Sequence, residues 1–154
     1  MDRSQVKVVL TEDGRVETLW ADPLGGDLYR LDNLPFWKYG VSLHDVVEAR
    51  PDDSGRPAFI RVVEKSGNRT VRIILRPRAN ESPESQAVLD RLVALGCSYE
   101  SMNPGYAVVN IPPGVILGDV VEVLTASRHQ WEHVDPTYED LYPNGGALSG
   151  RGDR

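Results

Sequence analysis

The chain has 154 residues, 40% of them hydrophobic and 26% charged, with a formal net charge of −6; that composition belongs to a folded globular protein and excludes a disordered one. The acidity is even, with nine Lys/Arg against twelve Asp/Glu in residues 1–67 and eight against eleven in residues 68–154. Neither half is a basic module, which disfavours broad attraction to nucleic acid or to an anionic membrane.

From Val6 to Leu75 the chain reads as strands and turns. "VKVVLT", "RVETLWAD" and "LYRLDN" are separated by Asp13-Gly14 and by Gly25-Gly26-Asp27, which is turn chemistry between β-favouring runs. In "VETLWA", Val16, Thr18 and Trp20 fall on one face and Glu17 and Leu19 on the other. "VVEAR" and "RPAFIRVVEK" then flank the turn "PDDSG", and "SGN" leads into "RTVRIIL". Five or six short strands in seventy residues predict a small curled β-sheet or barrel-like half.

Between these strands lies "LPFWKYGVSLHDVVEAR", Leu34 to Arg50. Pro35 starts an extended piece in which Phe36 and Trp37 point to opposite faces, so both cannot enter one core. Gly40 redirects the chain with a backbone conformation closed to its neighbours. Ser42 and Asp45 have the spacing of a capping box for one short turn, with Val41 and Leu43 inward and His44 outward. The aromatic cluster of Phe36, Trp37 and Tyr39 is first a hydrophobic joint and second a partner-facing surface, since Trp and Tyr are favoured interface anchors.

After Pro77 the period changes. Ser82 is an N-cap with Pro83 at the first helical position, although Ser85 stands where the capping box asks for Glu or Gln. Val88, Leu89, Leu92 and Leu95 recur at helical spacing and Gly96 closes the helix. "CSYESM", the turn "NPG" and "YAVVNIP" predict a β-hairpin. "PPGVILGDVVEVLTASRHQ" predicts a second helix burying Val120, Val121, Val123 and Leu124, and "WEHVDPTYE" a last strand. With "RTVRIIL" in front, this spells a ferredoxin-like βαββαβ half. The expected fold is α+β: a β-rich half over 5–67, a ferredoxin-like half over 68–142, and a small polar flexible tail over 143–154.

The stretch "LWADPLGGDLYRLDNLPFWKYGVSLHDVVEA", followed by "YAVVNIPPGV", resembles a family of short bacterial, largely actinobacterial proteins filed as a domain of unknown function. The likeness runs from about Val6 to Tyr142 and rests on Pro35-Phe36, Tyr39 to Ser42 and Asp45 to Val47. It implies the architecture and a bacterial cytoplasm, and it brings no reaction.

Candidate chemistry is sparse. His129 and His133 are four apart with Glu132 and Asp135 nearby, but they fall where a helix ends and a strand begins, so no metal is expected. His129 is instead placed at a helix C-terminus, where its charge is favourable. Cys97 has no partner for an internal disulfide and is expected to be a buried structural thiol with no activating cation near it. The glycines of "PLGGD" and "PPGVILGD" match neither a P-loop nor a dinucleotide fingerprint, so no cofactor is expected. The terminal "RGD" is a three-residue coincidence.

Arg72 and Arg76 fall on one parity of "RTVRIILRPR", as does Arg78, and form the one concentrated basic feature. If they shared an exposed strand face they would offer an anion site. That face carries no aromatic, which disfavours RNA. The expected function is therefore a non-catalytic binding or regulatory protein acting through a protein partner. Its candidate binding residues are Phe36, Trp37, Tyr39, His44, Arg72 and Arg76, and the sequence sets no oligomeric state. The alternative is a small enzyme or small-molecule binder with a cleft between the two halves lined by Trp37, Tyr39, His44 and Asp45. No apolar stretch follows "MDRSQVK" and no run has membrane-spanning length, so the expected location is the cytoplasm.

Overall fold

Five strands close on themselves in the first part of the chain. In the computed structural model, which describes residues 4–144, the chain divides into two units, Met1–Asn68 and Arg69–Arg154. The first holds β1 (Val6–Glu12), β2 (Arg15–Gly25), β3 (Leu28–Leu31), β4 (Val46–Pro51) and β5 (Pro57–Glu64). Each pairs antiparallel with the next, and β5 returns parallel to β1 through Val9 and Ala58. The result is a closed barrel in the order β1-β2-β3-β4-β5. Closure leaves no free strand edge, which a small exposed sheet would otherwise have to protect.

The alternation of β2 decides what fills the barrel. Leu19 and Ala21 face inward and are buried with Val8, Leu10, Leu31, Val41, Val47 and Ala49, while Val16 and Trp20 stay exposed. Burying an aliphatic side chain of this kind contributes about 1.5–3 kcal/mol. Glu17 shares the inward parity of Leu19, and what it does there positions the candidate site.

The second unit contains β6 (Arg69–Ile74), α1 (Pro83–Leu95), β7 (Ser98–Asn103), β8 (Tyr106–Ile111), α2 (Leu117–Ser127), β9 (Gln130–Asp135) and α3 (Tyr138–Leu141). Its strands form one antiparallel sheet in the order β7-β8-β6-β9. Val71, Ile73 and Leu75 from β6 and its end, with Ala107, Val109 and Ile111 from β8, pack against Val88, Leu89 and Leu92 of α1 and Val120 and Leu124 of α2. The opposite sheet face carries Arg72, Ile74, Tyr106, Val108, Gln130 and Glu132, paired across the strands by register. The whole is a mixed α+β protein, mostly strands, with three helices among the described residues.

Helix α1 begins and ends where its residues direct. Ser82 Oγ accepts from Ser85 N, Pro83 opens the helix, and Gly96 closes it at φ 112°. Two expectations need correction. Helix α2 stops at Ser127 and not at Gln130, because Arg128 takes the left-handed conformation (φ 66°). The last strand stops at Asp135. After it Thr137 and Asp140 form a capping box that starts the one-turn helix α3, where a continued strand is expected from the sequence. Of the expected flexible tail, residues 145–154 lie outside the described residues. No helix among the described residues is long and apolar enough to cross a membrane.

Candidate functional site

The loop from Asp32 to Asp45, between β3 and β4, is organised by carboxylates. Glu17 Oε1 accepts from the backbone N–H of Phe36 at 2.8 Å, and Oε2 accepts from those of Trp37 at 3.0 Å and Lys38 at 2.9 Å. Glu12 Oε1 takes the next amide, that of Tyr39, at 3.1 Å. Four consecutive N–H groups are thereby satisfied by two side chains of the β1–β2 hairpin, and the first three are partly buried donors that require such acceptors. Lys38 Nζ lies 3.7 Å from Glu12 and donates to Thr11 O at 3.0 Å, which adds a third tie to the same hairpin.

The side chains follow from that fixed backbone. Leu34 and Pro35 are buried. Phe36 and Trp37 are half-buried, with ring centres 6.4 Å apart and tilted by 58°, while Tyr39 is exposed. The Arg15 guanidinium lies over the Trp37 ring at 5.5 Å, and the Lys38 ammonium over Phe59 at 5.0 Å. Both are cation–π contacts. Trp37, Tyr39, Arg15 and Lys38 therefore gather around one end of the hairpin.

The second half of the loop turns on Gly40, at φ 79° as expected, and on Asp45. Asp45 is fully buried. Its Oδ2 accepts from Ser42 N at 2.9 Å and Lys65 Nζ at 2.6 Å, and its Oδ1 accepts from Ser66 N at 2.8 Å. The Ser42–Asp45 pairing read from the spacing is present as this reach-back bond. Ser66 Oγ and Asn68 Nδ2 both donate to Leu43 O, at 2.6 and 3.0 Å. Val41 is buried and Leu43 half-buried, while His44 points outward at φ 68°, with Nε2 3.5 Å from Asp32 Oδ1. Asp45 is thus a structural anchor inside the barrel unit.

The arginine row does not form a face. Arg72 is 2% exposed and lies 3.5 Å from Glu132 Oε2, on the adjacent strand β9. Arg76 lies beyond the end of β6, exposed, in the turn toward α1. The two share no exposed strand surface, and the anion site expected of them as a pair is withdrawn.

His129 also differs from expectation. Arg128 is the C-cap of α2, and His129 Nδ1 accepts from the backbone N–H of Arg76 at 3.1 Å. Burial lowers the His129 pKa, so the neutral ring is favoured and not a charged one. His133 sits within β9, buried, its ring edge-on to Trp131 at 4.9 Å. Among the described residues no three His, Cys, Asp or Glu side chains converge as metal ligands. Cys97 is buried; burial pushes its thiol pKa up, and Arg69, a cation the sequence pattern does not reveal, pulls against that shift.

Sequence reasoning misses Glu17 and Glu12 as organisers of the aromatic loop. One signal is available for Glu17. It is a charged residue at the inward parity of a strand, and such a group must find donors.

The family described as "Domain of unknown function (DUF4265)" matches residues 17–134, and the chain belongs to that family. No curated protein matches the chain. Its fold is similar to that of a solved structure titled "Novel crystal structure of a hypothetical protein from Neisseria gonorrhoeae", with a TM-score of 0.72 and 17% identity over 90% of this chain and 98% of that one.

Proposed function

We propose that this member of the family is a non-catalytic binding or regulatory protein of the bacterial cytoplasm, and that a protein partner docks on the Phe36–Tyr39 loop. The observation that supports this reading is the tying of four consecutive amides to Glu17 and Glu12. A loop ordered beforehand loses little further entropy on docking. Around it stand Trp37, Tyr39 and Arg15, the residue types that most often anchor protein interfaces. A single cysteine, which has no partner for an internal disulfide, suits a reducing compartment. We read the second unit as ferredoxin-like, on the support of its strand order β7-β8-β6-β9 with α1 and α2 packed on one face. That fold by itself carries no activity.

The test is a photo-crosslinking residue placed at Tyr39 in the full chain, in its native host, with Asp53 in the β4–β5 turn as the control position. The expected result is one dominant protein adduct at position 39 that disappears in Trp37→Ala while the melting curve is unchanged. The same adducts at position 53, or adducts indifferent to Trp37, would remove the aromatic loop as the docking surface.

A further inference from the structure

The turn between β6 and α1 is held through its backbone. Leu75 N donates to Gly105 O at 2.9 Å, Arg76 N to His129 Nδ1 at 3.1 Å, Arg78 N to Glu81 Oε1 at 3.1 Å and Ala79 N to Pro104 O at 2.9 Å. Ser85 Oγ donates to Pro77 O at 2.6 Å. Pro77 has no N–H, so every backbone donor from Leu75 to Ala79 is engaged. The side chains of Arg76 and Arg78 take no part in this network. Both residues are exposed, and among the described residues neither guanidinium meets a carboxylate.

Both arginines line a hollow of about 390 Å³ with Ile74, Glu81, Asn103 and Tyr106. A second hollow of about 270 Å³ shares Ile74 and Tyr106 and runs along the helix-free sheet face to Gln130 and Glu132. The first lies in the size range of small-ligand sites, about 300–1,000 Å³. It combines two rigidly based guanidinium groups with one apolar and one aromatic side chain. Guanidinium forks match phosphate and carboxylate oxygens bidentately.

We propose that this hollow binds a small organic oxyanion, with Arg76 and Arg78 taking the charged group and Ile74 and Tyr106 the apolar body that carries it. The surrounding charge favours a small ligand over a nucleic acid. Glu81 and Glu132 flank the two hollows in a chain of net charge −6, and a phosphate backbone would meet repulsion on either side. The site is built from residues of the second unit alone and does not depend on the barrel loop.

The test is titration of the full chain, followed by amide NMR, with phenyl phosphate, benzoate, inorganic phosphate and phenol. Phenyl phosphate or benzoate is expected to bind with a Kd of about 1 mM or tighter, moving amides of residues 74–81 and 103–106. Whichever of the two binds tighter names the anion. Arg76→Gln with Arg78→Gln is expected to weaken binding at least about tenfold, the scale of losing charge-assisted hydrogen bonds, with an unchanged melting temperature. Phenol and inorganic phosphate, each lacking half of the recognition, are expected to bind at least about tenfold more weakly. Unmoved amides in that region at about 10 mM ligand, equal binding by the double variant, or equal binding of inorganic phosphate would overturn the proposal.

Discussion

Glu17 Oε2 accepts the backbone N–H of Trp37 at 3.0 Å from 20 residues away in the chain, and the same carboxylate holds the amides on either side. Removing it in Glu17→Ala strands three partly buried donors. The expected loss of stability is about 2 kcal/mol, read by urea unfolding. Glu17→Gln keeps one acceptor oxygen and is expected to lose about half as much. If Glu17→Ala costs less than about 0.5 kcal/mol, packing of Leu34 and Pro35 holds the loop instead.

Asp45 and Lys65 are 2.6 Å apart but are not equal partners, since the side chain of Asp45 is 0% exposed and that of Lys65 46%. Asp45→Ala leaves the amides of Ser42 and Ser66 without their acceptor and is expected to cost about 3 kcal/mol. Lys65→Ala removes a half-solvated ammonium and is expected to cost under about 1 kcal/mol. Equal losses in urea unfolding would mean that the ion pair, and not the amide bonds, carries the turn.

Features signalled by nearby residues are legible in this sequence, and those made by distant strands are not. The barrel strands are bracketed by Asp13-Gly14 and Gly25-Gly26-Asp27, and α1 by Ser82 and Gly96, so both could be read directly. The end of α2 could not, because Arg128 adopts the left-handed conformation where Gly or Asn would have announced it. Helix α3 is one turn long, too short to show a period, and only the Thr137–Asp140 spacing marks it. In the site, Ser42 and Asp45 find each other at a spacing of three. Glu17 reaches across a β-hairpin and a strand, and Arg72 is paired with Glu132 only because β9 lies beside β6. Strand parity correctly assigned Arg72 a face but left its 2% exposure unread.

His129 makes stability depend on pH in a predictable direction. Burial lowers its pKa below the ordinary 6.5, and its Nδ1 must be unprotonated to accept the Arg76 N–H. Between the lowered folded value and 6.5 the unfolded chain therefore binds more protons at this residue. Its stabilising contribution is complete above 6.5, falls as pH drops through that window, and levels off below the folded value. His129→Asn keeps an acceptor oxygen but cannot titrate. The stability difference between wild type and variant is expected to shift against wild type from pH 7.5 to 5.5, as read by urea unfolding; a difference independent of pH would contradict the assignment. Comparing the two chains cancels every contribution common to both.

Gly96 and Gly118 are expected to respond oppositely to the same substitution. Gly96 ends α1 at φ 112°, and a Cβ there would stand 2.9 Å from Val115 Cγ2. Its N–H also donates to Val93 O, while Cys97 N donates to Leu92 O, so the conformation is fixed by helix-closing bonds. Gly96→Ala must hold an L-residue in a disfavoured region and displace Val115, a cost of about 1–3 kcal/mol. Gly118 lies inside α2 at an exposed position, has no positive φ, and an added Cβ meets nothing closer than 3.9 Å. There alanine restricts the unfolded chain and suits the helix, so Gly118→Ala is expected to gain about 0.5–1 kcal/mol. For a chain of this size the two melting temperatures should separate by several degrees in opposite directions from wild type. A rise in melting temperature for Gly96→Ala would show that the α1 terminus relaxes freely and that Val115 does not confine it.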